Sequence, residues 1–282
     1  MHNLRLLLLT LTFLLARISS ATELKPSTIA AFDHYVELAE QRMKNEVRSG
    51  PFLSVDGLPI AQREWGYSQL KHGVILTHAL EITDHGNAIG VPDGLIHHWV
   101  GTAFIPGVTL EQTVTLLHDY NNHWKIFAPE VVRSRLLQGN GKDFIISLRL
   151  RKKTIITVTL DTTYQVHYVA LDNVRAYSSS YSTRIAEVEH AGEPNEHEKP
   201  VGNDTGYMWR LNSYWRYWQR DGGVYIQLEA ISLSRDIPTG LGWIASPFIK
   251  KMPRESLVFT LSHTRDALTR KDTAVKSGSV VR

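Results

Sequence analysis

Between Thr28 and Arg48 the apolar residues fall at Ile29, Phe32, Val36, Ala39, Met43 and Val47. Steps of three and four put them on one stripe, so the spacing predicts an amphipathic helix, which Ser49-Gly50-Pro51 stops. The pattern then changes. "GVILTHALEI" (73–82) and "LIHHWVGTAFI" (95–105) read as strands, and Pro106-Gly107 breaks the second. "TLEQTVTLL" begins at Thr109 with Gln112 three residues on, a capping box, and Leu110, Val114 and Leu117 form the stripe of a short second helix. "HDYNNHWKIFAP" reads as a loop, because Asn-Asn and Pro interrupt any period.

The middle of the chain is strand-rich. "DFIISLRL" turns at Arg151-Lys152-Lys153 into "TIITVTL", the extended pattern resumes near Tyr164, and Asp172-Asn173 signals a turn into "VRAYSSSYSTRIAEVE". Residues 190–205 are polar and rich in Gly and Pro, a surface loop. Asp221-Gly222-Gly223 then supplies a tight hairpin turn. Whichever two residues form it, Trp215, Tyr217, Val224, Ile226, Leu228 and Ala230 share one face. Tyr214, Arg216, Trp218, Tyr225, Gln227 and Glu229 share the other. With one buried face, the first set turns inward. Arg216 and Glu229 are then expected as an exposed pair worth about 0–1 kcal/mol. In "YSTRIAEVE" strict alternation puts Tyr181, Thr183 and Ile185 on one face. Arg184 falls on the other and is read as outward, the alternative being an inward contact with a ligand carboxylate or phosphate. Pro238 to Pro253 reads as an irregular connector, and Pro253 suits the first turn of a last helix lined by Leu257, Leu261, Thr264 and Leu268. The pattern alone gives a mixed α+β domain with segregated elements.

This order resembles the START-like helix-grip fold of the SRPBCC superfamily, which includes birch-pollen-allergen-type and polyketide cyclase-like proteins. "VTLEQTVTLLHDYNNHWKIFAPEVVRSRLL" (108–137), "YSTRIAEVE" (181–189), "GGVYIQLEAISLSRDIP" (222–238) and "PRESLVFTLSHTRDAL" (253–268) carry the resemblance. It implies a curved antiparallel sheet wrapped around the C-terminal helix, with an additional N-terminal helix and a mostly apolar cavity. The expected ligand-facing residues are Trp215, Tyr217, Ile226 and Leu228, with Tyr181 on a neighbouring strand and Leu261 on the C-terminal helix. The superfamily holds lipid carriers, hormone receptors and some enzymes, so fold does not settle function.

Residues 1–21 combine Arg5, an apolar run from Leu6 to Ala16 and the small-residue end Ser19-Ser20-Ala21. This reads as a secretory signal peptide and makes a periplasmic or secreted address the expectation. Residues 22–57 then form the N-terminal helix and connector, 58–271 the helix-grip domain, and 272–282 a flexible tail. Lys and Arg number 31 against 28 Asp and Glu, a net charge of +3, and losing Arg5 and Arg17 would leave it near +1. That balance gives no electrostatic reason to expect nucleic acid. The absence of cysteine excludes disulfides.

The chemistry-bearing residues form no recognisable catalytic motif. His97 and His98 are adjacent and point to opposite sides of a strand. His118 and His123 lack the spacing of a zinc helix, and no G-x-S-x-G elbow or phosphate loop occurs, so neither metal nor cofactor is expected. Two basic clusters, Arg151-Lys152-Lys153 and Lys250-Lys251 with Arg254, read either as solvated tips or as docking points for anionic lipid headgroups. Two functions fit. One is non-catalytic binding or transport of a hydrophobic small molecule or lipid, with peripheral membrane contact. The other is a cyclase- or dehydratase-like enzyme acting on an aromatic or polyketide-like substrate, which needs an acid–base pair inside the cavity, such as Tyr181, Tyr217 or a histidine.

Overall fold

The computed structural model describes residues 22–153, 157–236 and 242–278, and in the last segment the side chains of residues 251–270. The expected signal peptide lies outside these residues. The hairpin fixes the rest of the sheet. Asp221 and Gly222 have φ of +58° and +76°, the left-handed values a two-residue turn between strands requires. They join β7 (Arg210–Arg220) to β8 (Gly223–Arg235) with Trp215 opposite Leu228 and Tyr217 opposite Ile226, the pairing that residue parity predicts.

Around this hairpin the chain builds one antiparallel sheet. Its other long strands are β1 (Leu76–Ala79), β2 (Gly94–Pro106), β3 (Val131–Gly139), β4 (Asp143–Lys153), β5 (Thr157–Ala170) and β6 (Arg175–Glu189), in the order β1-β2-β8-β7-β6-β5-β4-β3, and the two-residue strand His197–Glu198 pairs with the end of β6. The helices are α1 (Pro26–Ser49), α2 (Ile60–Lys71), α3 (Leu110–His118) and α4 (Gly242–Gly278). The capping box of α3 forms as expected: Thr109 Oγ1 accepts from the Gln112 amide at 3.2 Å, and the Gln112 side chain accepts from the Thr109 amide at 2.8 Å.

The expected α+β helix-grip arrangement is the one the chain adopts, with α4 across one face of the sheet, the grip face. Leu257, Leu261 and Leu268 pack there with Ala103, Ile105, Ala176, Tyr217, Ile226 and Leu228. Gly101 makes room: a Cβ at this position would lie 2.2 Å from Leu257 Cδ2 and 2.7 Å from Leu261 Cδ1. Polar contacts tie α4 to both sides of the grip. Lys152 Nζ reaches Ser256 Oγ at 3.1 Å and also Glu130, while Arg254 and Arg265 bond Thr77 Oγ1 (3.0 Å) and the Gly73 carbonyl (2.7 Å). Lys152 is therefore a tie rather than a solvated tip.

Three expectations need correction. The segment from Gly242 to Pro253 is helix, not connector, and Pro253 lies inside α4 instead of opening it; the helix also continues past Lys271 to Gly278. A proline removes one backbone bond, which a helix docked along 257–268 can absorb. The 50–75 region contains an unanticipated helix, α2, and "YNNHWKI" winds into a 3₁₀ turn and one α-turn. Most consequentially, the opposite, back face of the sheet is not solvated. Phe32, Tyr35, Ala39 and Met43 of α1 pack there on Trp209, Tyr214, Ile231 and Leu233. Phe52, Leu53, Val55 and Leu70 cover Phe104 and Tyr225.

Arg216 and Glu229 are consequently buried, 3% and 1% exposed, and do not form an exposed pair. Arg216 donates to Glu46 Oε2 (2.7 Å) and to the Phe52 carbonyl (2.8 Å). Glu229 accepts from Arg42 and from His98 Nε2 (2.6 Å), whose Nδ1 meets the Tyr35 hydroxyl at 2.9 Å. Burial pushes the Glu229 carboxyl up. The His98 hydrogen bond and the Arg42 charge outweigh it and hold the group below the usual carboxylate range. Closed off by α1, this seam fastens the N-terminal helix to the sheet.

Candidate functional site

Side-chain alternation, carried across the strands by the pairing, decides what the grip face presents. One row runs Trp99–Ala230–Ser213–Ser180–Val166–Phe144, and the next includes Leu228–Trp215–Ser178–Tyr168. The centre of the first row, Ala230, Ser213 and Ser180, is made of small side chains, all half-buried. Large groups stand around it. Trp99, Trp215, Tyr168, Leu148, Leu150 and, from α4, Phe259 pack against the core but stay partly exposed. A close-packed interior of this size would seal such rings. A floor of small residues beneath partly exposed aromatic and aliphatic groups marks this stretch as the candidate binding hollow.

The buried groups on this face form two clusters. One lies under α4. The other contains Tyr120, Phe144, Ile146, Tyr164 and Val166, and half-buried Leu148 and Tyr168 touch both. The hollow lies where the clusters fail to merge.

The polar groups facing it are hydroxyls and one imidazole. Tyr217 and Ser178 share a hydrogen bond at 3.3 Å. The Tyr164 hydroxyl is buried without a hydrogen-bond partner among the described residues. Burial pushes Tyr164 up to about 12 and also raises Tyr217 and Tyr168, so these hydroxyls remain protonated donors. His118, stacked on Tyr120 and edge-on to Tyr168, is pushed down by burial and is neutral near pH 7. Uncharged donors on apolar walls can orient an oxygen-bearing apolar molecule at small desolvation cost.

Of the residues expected to face a ligand, Trp215 lines the hollow, its ring parallel to that of Tyr217. Tyr217, Ile226, Leu228 and Leu261 are on the grip face but buried in the packing under α4. Tyr181 is elsewhere. Its register partner Asn212 belongs with Tyr214 and Arg216, so it points to the back face, where its hydroxyl donates to Glu40 at 2.8 Å. A register shift near Thr183 breaks the alternation assumed for 181–186. Arg184 is outward, paired with Glu198. Residue reasoning did not single out Trp99, Tyr168, Ser180, Ser213 and Phe259, which the structure groups on this face. The alternation of "YSSSYS" held a signal for Ser178 and Ser180, but placing them beside Trp215 requires the β6–β7 register.

Among the described residues no three His, Asp or Glu side chains gather as a metal site. His97 bonds Ser234 Oγ at 3.0 Å and His123 the Leu117 carbonyl at 2.9 Å.

The strand order and the long helix laid on the grip face are those of the helix-grip architecture. The fold is an α+β helix grip. No family model matches the chain, and no curated protein matches it. Solved structures resemble it in fold. A STAR-related lipid transfer protein fragment from Xanthomonas axonopodis is 17% identical, with 68% of this chain and 98% of that one covered and a TM-score of 0.44. Human STARD10 is 10% identical over 78% and 84%, with a TM-score of 0.43. The Zhui aromatase/cyclase from Streptomyces sp. R1128 is 14% identical over 63% and 96%, with a TM-score of 0.38.

Proposed function

We propose that this protein binds or carries a hydrophobic small molecule, a lipid in the first instance, in the hollow between the grip face and α4, and that it acts in an export compartment. The half-buried floor of Ala230, Ser213 and Ser180 beneath partly exposed Trp99, Trp215 and Tyr168 carries the reading. Each buried methylene contributes about 0.8 kcal/mol. Ten of them supply about 8 kcal/mol before ordering costs, so the walls need few polar contacts. Exposed Arg151 and Lys153 flank a cleft of about 490 Å³ that also meets Glu255 of α4. Contact of this end with an anionic membrane would bring the hollow to a source of apolar ligand.

Native mass spectrometry of detergent-free protein, followed by organic extraction, tests the proposal. The expected result is an apolar molecule bound at one per chain. Protein without any extractable apolar adduct, and without uptake from lipid vesicles, would overturn it.

A further inference from the structure

On the back face, at the β7–β8 turn, Arg220 makes no hydrogen bond within the described residues although its guanidinium carries five donors. It is held firmly all the same. The guanidinium lies 4.0 Å from the Trp218 ring centroid, 4.3 Å from Tyr67 and 5.2 Å from Tyr225. Its Nε is buried without a hydrogen-bond partner among the described residues, and Asp56 is an ion-pair neighbour at 3.9 Å. Asp56 already accepts from the Leu53 amide (2.9 Å) and the Tyr67 hydroxyl. The other deeply placed arginines behave differently: Arg42, Arg149 and Arg216 each donate to carboxylates.

This fixed guanidinium lines a groove of about 680 Å³ between α2 and the turn. Arg63, half-buried on α2, lines the same groove and has no ion-pair partner among the described residues. Lys71 is also there, bonded to Asp221 at 2.9 Å. Lys71 pairs with Asp221, and Asp56 keeps its charge 3.9 Å from Arg220 without accepting a hydrogen bond from it, so the groove's three cations face three carboxylates and the opening rests on the unused donors of Arg220, with Arg63 beside it. A planar guanidinium immobilised by stacking keeps its fork of donors oriented, at little further entropic cost, for a bidentate oxyanion.

We infer that this groove is a second ligand site, on the opposite side of the sheet from the hollow, that binds a phosphate-type oxyanion through Arg220 with Arg63 in support. Free phosphate compounds and lipid headgroups share this chemistry. Ile60 and Trp65, 67% and 61% exposed on the same helix, stand ready to touch a bilayer in the second case.

Two probes separate the sources: inorganic phosphate followed by calorimetry, and co-sedimentation with phosphatidylglycerol against phosphatidylcholine vesicles. Arg220→Lys keeps the charge and loses the fork; Arg63→Ala leaves the stacked rings intact and guards against misfolding of the first variant. A charge-assisted bidentate contact predicts at least about tenfold weaker binding in Arg220→Lys, with a smaller loss in Arg63→Ala. Phosphate binding lost in these variants assigns a soluble ligand. Variant-sensitive sedimentation with phosphatidylglycerol alone assigns a headgroup. Neither probe binding, or binding equal in wild type and both variants, overturns the site.

Discussion

Gly101 decides how closely α4 approaches the sheet, and replacing it with alanine measures that contact. The added methyl would meet Leu257 Cδ2 at 2.2 Å and Leu261 Cδ1 at 2.7 Å, with Leu257 Cγ at 3.4 Å. The first two distances are below any real contact, so the helix or both leucines must shift. Overpacking of this kind costs about 1–3 kcal/mol. Without the clash the sign would reverse, because alanine reduces unfolded-chain entropy and stabilises by about 0.4–1 kcal/mol. Leu257→Ala alone removes a buried side chain, at about 2–5 kcal/mol. In the double variant the alanine at 101 occupies space that Leu257 vacates. Its cost should therefore fall short of the sum of the singles by about 1 kcal/mol or more, within the range for residues in contact. Urea unfolding of the four proteins at constant m-value gives all the terms. Gly101→Ala as stable as wild type, or strictly additive costs, would refute the reasoning.

Other outcomes follow from the back-face seam and the caps. Glu229→Gln leaves Arg42 and His98 facing a neutral group and should cost about 3–5 kcal/mol in chemical denaturation, as breaking a buried pair does. Because Glu229 sits below the usual carboxylate range, its contribution is complete above the unfolded value near 4.3 and is lost as pH falls through the lower folded value. Wild type should lose stability on acidification below about pH 4.5, and the Gln variant should lose less over the same window. Thr109→Ala removes the acceptor that caps α3 and should cost about 1 kcal/mol, read as a lower urea midpoint.

The hairpin was legible in the residues because Asp221-Gly222 fixes a register, and a register fixes which side chains share a face. What parity could not supply was the number of covered faces. Tyr214, Trp218 and Tyr225 already made the back face as aromatic as the grip face, a sign that something packs on it. The covering helix α2 carries little apolar periodicity: Ile60 and Trp65 are exposed, and its buried contacts are Gly66 and Leu70. Gly66 packs so closely on Val55 that a Cβ would lie 2.8 Å from its Cγ2, and no side-chain pattern announces such a contact. Tyr181 was misplaced for a related reason, since its facing depends on the β6–β7 register. The start of α4 was hidden by Pro247 and Pro253, which disfavour a helix locally but yield to its docking. The candidate hollow is read from Ala230, Ser213 and Ser180 on three different strands, a juxtaposition only the pairing creates.

Filling that floor tests the central claim most directly. Ser180→Trp places a large ring in the middle of the row, between Ser213 and Val166. Native mass spectrometry should show an apolar adduct on wild type and none on Ser180→Trp, with circular dichroism and urea midpoint showing that the variant is folded. A folded Ser180→Trp protein that retains the adduct at wild-type occupancy would contradict the account.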